Sequence, residues 1–195
     1  MVKRAREVIL REAEAVRRAA EQLDESLAAA VDLLFGCTGH VLVAGTGTSR
    51  AVALRFAHLL ACCGTPALPL YAADALHGGA GSVTANDVLF IISKGGQSAE
   101  INQLAEIARG NGAKIVTLTE RPDSPLGRLS DAVLKIVATG DVDPYGMIAT
   151  GSSLVNSAAC DALCVLLLDR RGYTPEQFGR THPGGAVGKK IATTR

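Results

Sequence analysis

Short apolar segments alternate with helical segments along most of this chain, and that alternation limits the possible fold more than any other feature. Five segments have the length and composition of buried strands: 41–45, 67–71, 87–93, 114–119 and 131–138. Helices are predicted at 48–64, 98–112 and 150–172, with a short turn or helix over 122–130. Strands that alternate with helices form parallel sheets whose two faces are covered. We therefore predict an α/β domain of doubly wound, three-layer αβα architecture.

A helical arm precedes the first strand. Apolar residues recur every three or four positions over 3–35, and Asp24 is able to cap a new turn, so the arm is predicted to be one helix or two. We expect it to pack on the core or to form contacts between subunits. The predicted organisation is a single domain in which the arm covers 1–36, the αβα core 37–172 and a C-terminal segment 173–195.

The charge balance and the hydropathy pattern argue against several classes of function. The chain has 20 basic and 19 acidic residues, whereas nucleic-acid-binding proteins usually carry a basic excess. No apolar run reaches the ~18 residues that span a bilayer, and the N-terminus mixes arginine with glutamate where a signal peptide would be apolar. We therefore expect a cytoplasmic protein without nucleic-acid or membrane partners.

Five cysteines are present, an odd number without a C-x-x-C pair. Cys160 and Cys164 lie four residues apart on a predicted helix, a spacing that metal ligands also use. The interpretation as small buried apolar residues in a reducing compartment is favoured. We therefore expect neither a metal site nor a disulfide framework.

Three loops that follow predicted strands and open predicted helices carry glycine and hydroxyl side chains. They are A-G-T-G-T-S-R at 44–50, I-S-K-G-G-Q-S-A-E at 92–100 and A-T-G-S-S at 149–153. Ligands of doubly wound sheets bind at the carboxyl ends of the strands, and helix N-termini attract anions, so we predict one phosphate site there. Its predicted contacts are Gly47, Thr48, Ser49, Ser93, Lys94, Ser98, Ser152 and Ser153.

Each loop also has a plainer interpretation. The first has Arg50 where a dinucleotide-binding G-x-G-x-x-G would have its third glycine, so by itself it fits a tight turn with a serine cap equally well. Glu100 fits either a pocket carboxylate or a surface residue that matches the helix dipole. The agreement of three loops favours a binding site over three unrelated turns.

Two of the four histidines precede glycine turns: His77 in H-G-G and His182 in H-P-G-G. Imidazole transfers protons readily near neutral pH, so both are candidate acid–base residues. His40, before a strand, and His58, in the middle of a helix, are interpreted as structural.

Together these motifs resemble the SIS (sugar isomerase) domain and, within it, the arabinose-5-phosphate isomerase group. The similarity extends over essentially the whole chain, and its most specific parts are R-P-D-S at 121–124 and H-P-G-G-A-V-G at 182–188. The resemblance implies a five-stranded sheet of flavodoxin-like order and a homodimer or homotetramer. It also implies a sugar-phosphate ligand, with no metal and no cofactor.

The resemblance further implies roles for single residues. Acid–base residues fall on Glu100, His77 and His182, and an acidic residue near the fifth strand is matched by Asp141 or Asp143. The hydroxyl groups that hold the sugar phosphate are matched by Ser49, Ser93, Ser98, Ser152 and Ser153. In the family the tail histidine reaches a site shared between subunits, so His182 is expected to act at a partner's pocket.

The chain departs from the family pattern at three points. Thr48 stands where the isomerases carry a lysine, and Lys94 is a hypothetical replacement for its charge. Gln97 stands where the S-G-E-S-S-E signature has a carboxylate. The regulatory CBS modules of many full-length relatives are not expected here.

We predict a phosphosugar aldose–ketose isomerase that works through an enediol, with Glu100 or His182 as the base and His77 as the proton donor. The alternative is a sugar-phosphate sensor without catalysis, which the loss of the lysine at Thr48 would fit. A DNA-binding regulator would need a helix-turn-helix in the arm, and a nucleotide-dependent oxidoreductase would need the missing glycine.

Overall fold

A computed structural model describes residues 1–138, 145–185 and 188. Its strands are β1 (Val41–Gly45), β2 (Ala67–Pro69), β3 (Val88–Ile92), β4 (Lys114–Thr119) and β5 (Ala132–Lys135). They form one parallel sheet in the order β2-β1-β3-β4-β5. This confirms the predicted five-stranded parallel sheet of flavodoxin-like order. Every residue of β1 and β3 is buried, because these strands lie inside the sheet with helices on both faces.

The helices divide between the two faces of the sheet. Those described are α1 (Val2–Ala20), α2 (Ser26–Phe35), α3 (Thr48–Cys62), α4 (Ala72–Ala75), α5 (Ala99–Gly110), α6 (Pro125–Leu129), α7 (Thr150–Arg171) and α8 (Pro175–Thr181). Buried residues of α1, α2, α3 and α7 form one apolar cluster with one face of the sheet. Buried residues of α4, α5 and α6 form a second cluster with the other face. The three-layer αβα prediction is therefore confirmed.

The structure also refines the predicted elements. The arm is two helices, and the Asp24 carboxylate accepts the backbone N–H of Ser26 at 2.9 Å where α2 begins. β2 ends at Pro69, and a proline is tolerated there because β2 lies at the edge of the sheet. The backbone N–H of the next residue, Leu70, still donates to the Val43 carbonyl at 2.9 Å. The C-terminal segment contains the short helix α8 before His182, an element absent from the predicted helices.

Of the helices in the described ranges, α7 is long and apolar enough to cross a membrane by length and composition. Val155, Leu163 and Leu167 of α7 are fully buried in the cluster on its face of the sheet. A core helix of a globular domain has the same composition, so the packing of α7 accounts for its hydropathy.

The reversal of strand order between β1 and β3 creates a crevice at one edge of the sheet. β1 leads into α3 on one face and β3 leads into α5 on the other. Gly45 pairs with Ile92 in the parallel register, so the two following loops start side by side. Crevices of this kind are where doubly wound sheets bind ligands.

Asp87 fixes the turn that leads into β3. Its side chain is 5% exposed. It accepts the backbone N–H groups of His40 and Thr84, both at 2.7 Å, and the Thr84 hydroxyl at 2.8 Å. Burial raises the pKa of Asp87, but these hydrogen bonds outweigh burial and hold the pKa below its usual value. The folded state therefore stabilises the ionised form of the Asp87 carboxylate.

Replacing Asp87 by Asn should lower the free energy of unfolding by about 1–3 kcal/mol at neutral pH, because a buried charged acceptor is lost. A depressed carboxyl pKa contributes stability above the unfolded-state pKa, and that contribution disappears as pH falls through the folded-state pKa. Urea unfolding between pH 7 and pH 3 should thus show that the loss of unfolding free energy in Asp87→Asn, relative to the wild type, becomes smaller as the pH falls. Asp123→Asn, at an exposed carboxylate, is the control. A deficit of constant size over this range would contradict the role assigned to the charge.

Candidate active site

The first loop joins β1 to α3 by a tight turn that needs glycine twice. A Cβ at Gly45 would lie 2.8 Å from the backbone oxygen of Ser49, and Gly47 has a φ of +56°. α3 then begins at Thr48, which is exposed, with no acidic residue in its first turn. Within the described chain the half-buried Ser49 hydroxyl has no hydrogen-bond partner. The loop therefore presents free backbone N–H groups and a free hydroxyl to the crevice.

The second loop joins β3 to α5 and is held rigidly. Ser93 is 8% exposed, and its Oγ accepts the backbone N–H of Gly96 at 3.2 Å. Gly96 has a φ of +61°, and a Cβ there would overlap Ser124 Oγ, which itself accepts the Gly127 N–H at the start of α6. Ser98 is the N-cap residue of α5 but makes no capping hydrogen bond with its side chain. The loop is thus fixed in shape while its Ser98 hydroxyl remains available.

The third cluster of hydroxyl-bearing residues lies where α7 begins. Ser152 is 6% exposed, and Ser153 Oγ donates to the Thr150 carbonyl at 2.8 Å, so the Ser153 proton is already used. Two buried side-chain oxygens have no hydrogen-bond partner in the described chain, Thr150 Oγ1 and Asn102 Oδ1. Both belong to the opening turns of helices, α7 and α5. Such orphaned groups are rare in folded proteins, and a bound polar ligand at this edge would satisfy them.

The charged side chains at this edge differ in how they are paired. Glu100 is half-buried in the first turn of α5, where the helix dipole favours a carboxylate. Lys94 Nζ lies 3.9 Å from the Glu120 carboxylate, so its charge is partly neutralised. Arg50 lies over the ring of Tyr71, 4.1 Å from its centroid, with no carboxylate within ion-pair distance among the described residues.

Arg50 and Tyr71 were not among the predicted site residues. The sequence marks Arg50 only as the residue that stands in place of a third glycine. The sequence does contain a signal for Arg50. A basic side chain in the first turn of a helix is unfavourable next to the positive end of the helix dipole, so its presence there suggests a ligand or another partner. The stacking of Arg50 on Tyr71 joins a residue of α3 to the residue that precedes α4, a contact that spacing in the sequence does not reveal.

His77 lies at the same edge of the sheet. It follows α4, which begins just after β2 ends, and its backbone N–H donates to the Asp74 carbonyl at 3.0 Å. The next residue, Gly78, has a φ of +110° and opens a short 3₁₀ turn. The His77 ring is exposed and has no partner within the described ranges. It is therefore free to meet a ligand.

His182 lies at the opposite edge. Its Nε2 is 3.2 Å from the sulfur of Cys62, the last residue of α3, and its Nδ1 is 2.9 Å from the Phe178 carbonyl. Its ring stacks on Phe178 with centroids 3.8 Å apart. α3 has 15 residues. At the helical rise it separates His182 from Thr48 by roughly 20 Å, so one chain does not bring His182 to its own Glu100.

The structure therefore brings most, but not all, of the predicted site together. Gly47, Thr48, Ser49, Ser93, Lys94, Ser98, Glu100, His77, Ser152 and Ser153 belong to segments at the carboxyl edge of the sheet. Asp141 and Asp143 lie outside the described residues. In the described part of the chain, no group of three or more metal-ligating side chains is able to hold a metal ion.

Changing Gly96 to Ala should cost about 1–3 kcal/mol of unfolding free energy, because the new Cβ overlaps Ser124 and the backbone has a positive φ. Gly95→Ala is the matched control, since a Cβ there would meet only Gln97 Cγ at 4.0 Å. Chemical unfolding of both variants measures the difference. Equal stabilities would show that this loop is not held against α6 as described.

Comparisons with known sequences agree with this geometry. The family model described as SIS domain matches residues 34–166. The chain is 33% identical over 186 residues to the arabinose 5-phosphate isomerase KdsD of Escherichia coli strain K12, and 31% identical over 194 residues to the arabinose 5-phosphate isomerase KpsF of Escherichia coli. The alignments cover 95% and 99% of this chain but 57% and 59% of those relatives, so it spans little more than half of their length.

Two solved structures share the fold over nearly their whole length. A Listeria monocytogenes protein, provisionally described as a sugar-phosphate isomerase, superposes with a TM-score of 0.91 at 34% identity, covering 94% of this chain and 96% of that one. Escherichia coli CFT073 c3406, in complex with A5P, superposes with a TM-score of 0.90 at 27% identity, covering 93% and 97%. The resemblance seen in the motifs is thus confirmed, and the chain belongs to the SIS domain family.

Proposed function

We propose that this chain is the isomerase domain of a cytoplasmic phosphosugar aldose–ketose isomerase. The proposed substrates are arabinose 5-phosphate and ribulose 5-phosphate or a closely related pair, since KdsD and KpsF are named arabinose 5-phosphate isomerases. One observation carries the proposal. Glu100 opens a helix at the same edge as hydroxyl and backbone N–H groups that lack partners in the described residues. A carboxylate beside an anion-binding cradle suits the isomerisation of a phosphosugar.

The phosphate is proposed to bind where α3, α5 and α7 begin. Helix N-termini offer unpaired N–H groups and a positive dipole end, which together favour an anion. Positive charge comes from Lys94 or Arg50 in the absence of a lysine at Thr48. The proposed contacts are Gly47, Thr48, Ser49, Ser93, Lys94, Ser98, Ser152 and Ser153. Binding energy from the phosphate holds the open-chain sugar in place for the reaction.

Acid–base chemistry then moves a proton between C1 and C2 through an enediol. Glu100 or His182 removes the carbon-bound proton, and His77 serves the sugar oxygens or opens the ring. Asp141 or Asp143, outside the described residues, is the further acidic candidate. This chemistry requires no metal and no cofactor, because both proton transfers are within reach of carboxylate and imidazole groups.

We further propose that each active site is shared between subunits of a homodimer or homotetramer. The distance of roughly 20 Å along α3 supports this, because His182 and Glu100 of one chain lie at opposite edges of the sheet. In this proposal the single domain consists of an arm at 1–36, a core at 37–172 and a C-terminal segment at 173–195, and the C-terminal segment has a role in the shared site. The last segment carries His182 to a neighbour's Glu100.

A sugar-phosphate sensor without catalysis is the second candidate. It is favoured by Thr48, which is exposed in the first turn of α3, at the position where the resemblance to the isomerases implies a lysine. Gln97, in the place of a carboxylate, points the same way. A sensor would bind the phosphosugar without moving its C1 or C2 protons, so isotope exchange separates the two candidates.

Incubation with a panel of sugar phosphates in D₂O should incorporate deuterium at C1 or C2 of at least one of them, observed by NMR. Glu100→Gln should slow that exchange about 100-fold or more, because general acid–base catalysis is lost. Glu106→Gln, an exposed carboxylate on the same helix, is the matched control and should exchange at the wild-type rate. Thermal stabilisation by one sugar phosphate without any exchange would contradict the isomerase and support the sensor.

Mixed oligomers should reveal the shared site. Glu100→Gln and His182→Ala subunits, each inactive alone, are co-expressed in equal amounts and purified as one mixture without selecting the mixed oligomers. In random dimers the mixture should regain about one quarter of the wild-type activity, because half of the dimers contain one site with both residues intact. A mixture as inactive as its parents would mean that His182 does not serve a neighbouring site.

A further inference from the structure

A cluster of one thiol and two imidazoles lies at the C-terminal end of α3, outside the proposed site of its own chain. The sulfur of Cys62 is 3.2 Å from His182 Nε2 and 3.6 Å from His58 Nε2. His58 precedes Cys62 by one helical turn, whereas His182 comes from the segment after α8. Two separate parts of the chain thus bring imidazole nitrogens to the same sulfur.

The hydrogen bonds of His182 determine which of its two ring nitrogens carries the proton and which directs a lone pair at the Cys62 thiol. Nδ1 lies 2.9 Å from the Phe178 carbonyl oxygen, which only accepts, so Nδ1 carries the proton of the neutral ring. The Thr181 hydroxyl donates to the same carbonyl and leaves its lone pairs toward Nδ1. Nε2 therefore accepts from the Cys62 thiol, and transfer of that proton produces a thiolate beside an imidazolium.

The other four cysteines are in different surroundings. Cys160 and Cys164 are 0% and 4% exposed, and burial raises the pKa of both thiols. Burial also raises the pKa of Cys37 and Cys63. The Cys37 thiol is directed at a carbonyl oxygen, that of Asn86 at 3.5 Å, which stabilises its protonated form. Cys62 is half-buried, with His182 Nε2 as the acceptor of its proton and a second imidazole, that of His58, beside the sulfur.

We propose that Cys62 is a modification site, a nucleophilic thiol that hydrogen peroxide and related small peroxides oxidise ahead of the other cysteines. The Cys62 sulfur attacks one peroxide oxygen, so an S–O bond forms as the O–O bond breaks. The departing hydroxide takes the proton held by His182 and leaves as water. Sulfur is oxidised by two electrons to a sulfenic acid, and the peroxide is reduced by two.

The new oxygen stands between Sγ and Nε2, so the 3.2 Å contact that seats His182 cannot persist. Peroxide would therefore displace His182 and lower isomerase turnover. This consequence rests on the proposed function, in which His182 is an acid–base residue, whereas the reactivity of Cys62 does not.

The test is site-resolved oxidation in a Cys63→Ser background, which removes the adjacent thiol. The protein is treated with hydrogen peroxide in the presence of dimedone, and the adduct at each cysteine is quantified by peptide mass spectrometry. Cys62 should form adduct about 10-fold faster than the half-buried Cys37 in the same sample. His182→Gln should slow Cys62 by a similar factor and leave Cys37 unchanged. Equal rates at Cys62 and Cys37 would overturn the proposal.

Cys160 reports on folding in the same experiment, since it reacts only if the core opens. If His182→Gln exposes Cys160, then His58→Gln, on the exposed side of α3, replaces it and should also slow Cys62. No effect of His58→Gln in that case overturns the proposal. If the protein isomerises a sugar phosphate, the isomerisation rate of the Cys62→Ser variant should be the same before and after peroxide treatment. The protein that retains Cys62 should lose activity under the same treatment. Selective Cys62 oxidation in a protein that isomerises no sugar would contradict the proposed function and leave the thiol site standing.

Discussion

The parallel pairing of β1 with β3 is the constraint on which the rest of the structure depends. Because Gly45 pairs with Ile92 and the next helices leave toward opposite faces, the backbone at this point is covered by neither helix. Two helix N-termini with unpaired N–H groups are forced to converge there. The glycines and serines of both loops follow from this, since only short side chains leave room for a ligand against the backbone.

The sequence allowed accurate prediction where burial on both faces left little choice. β1 and β3 are continuous apolar runs and β4 is buried from Ile115 to Thr119, and the positions of all three agree with the structure to within one residue. The outer strands were predicted too long because an edge strand is half-covered and its ends depend on neighbours. α8 was missed although Thr174 and Gln177 form a capping box, since a seven-residue helix shows no apolar periodicity.

The candidate site divides in the same way. Its loops could be identified from the sequence because each is a local glycine and hydroxyl pattern beside a strand. Partners that depend on packing could not: the stacking of Arg50 on Tyr71 and the unpaired oxygens of Asn102 and Thr150 arise only once the helices are docked. The seat of His182 against Cys62 joins residues 120 positions apart, a separation at which sequence spacing carries no information.

The position of His182 links assembly to chemistry in the proposed mechanism. α8 has no buried residue, so a helix of seven residues is held mainly by its capping box, the stacking of His182 on Phe178 and the contact with Cys62. A helix this short has little stability of its own. Packing of a second subunit against α8 would hold the segment in place, and the same packing would bring His182 to the neighbour's site. An unassembled chain would then bind phosphosugar through its own loops while lacking the imidazole, which makes oligomerisation a condition for turnover and not for binding.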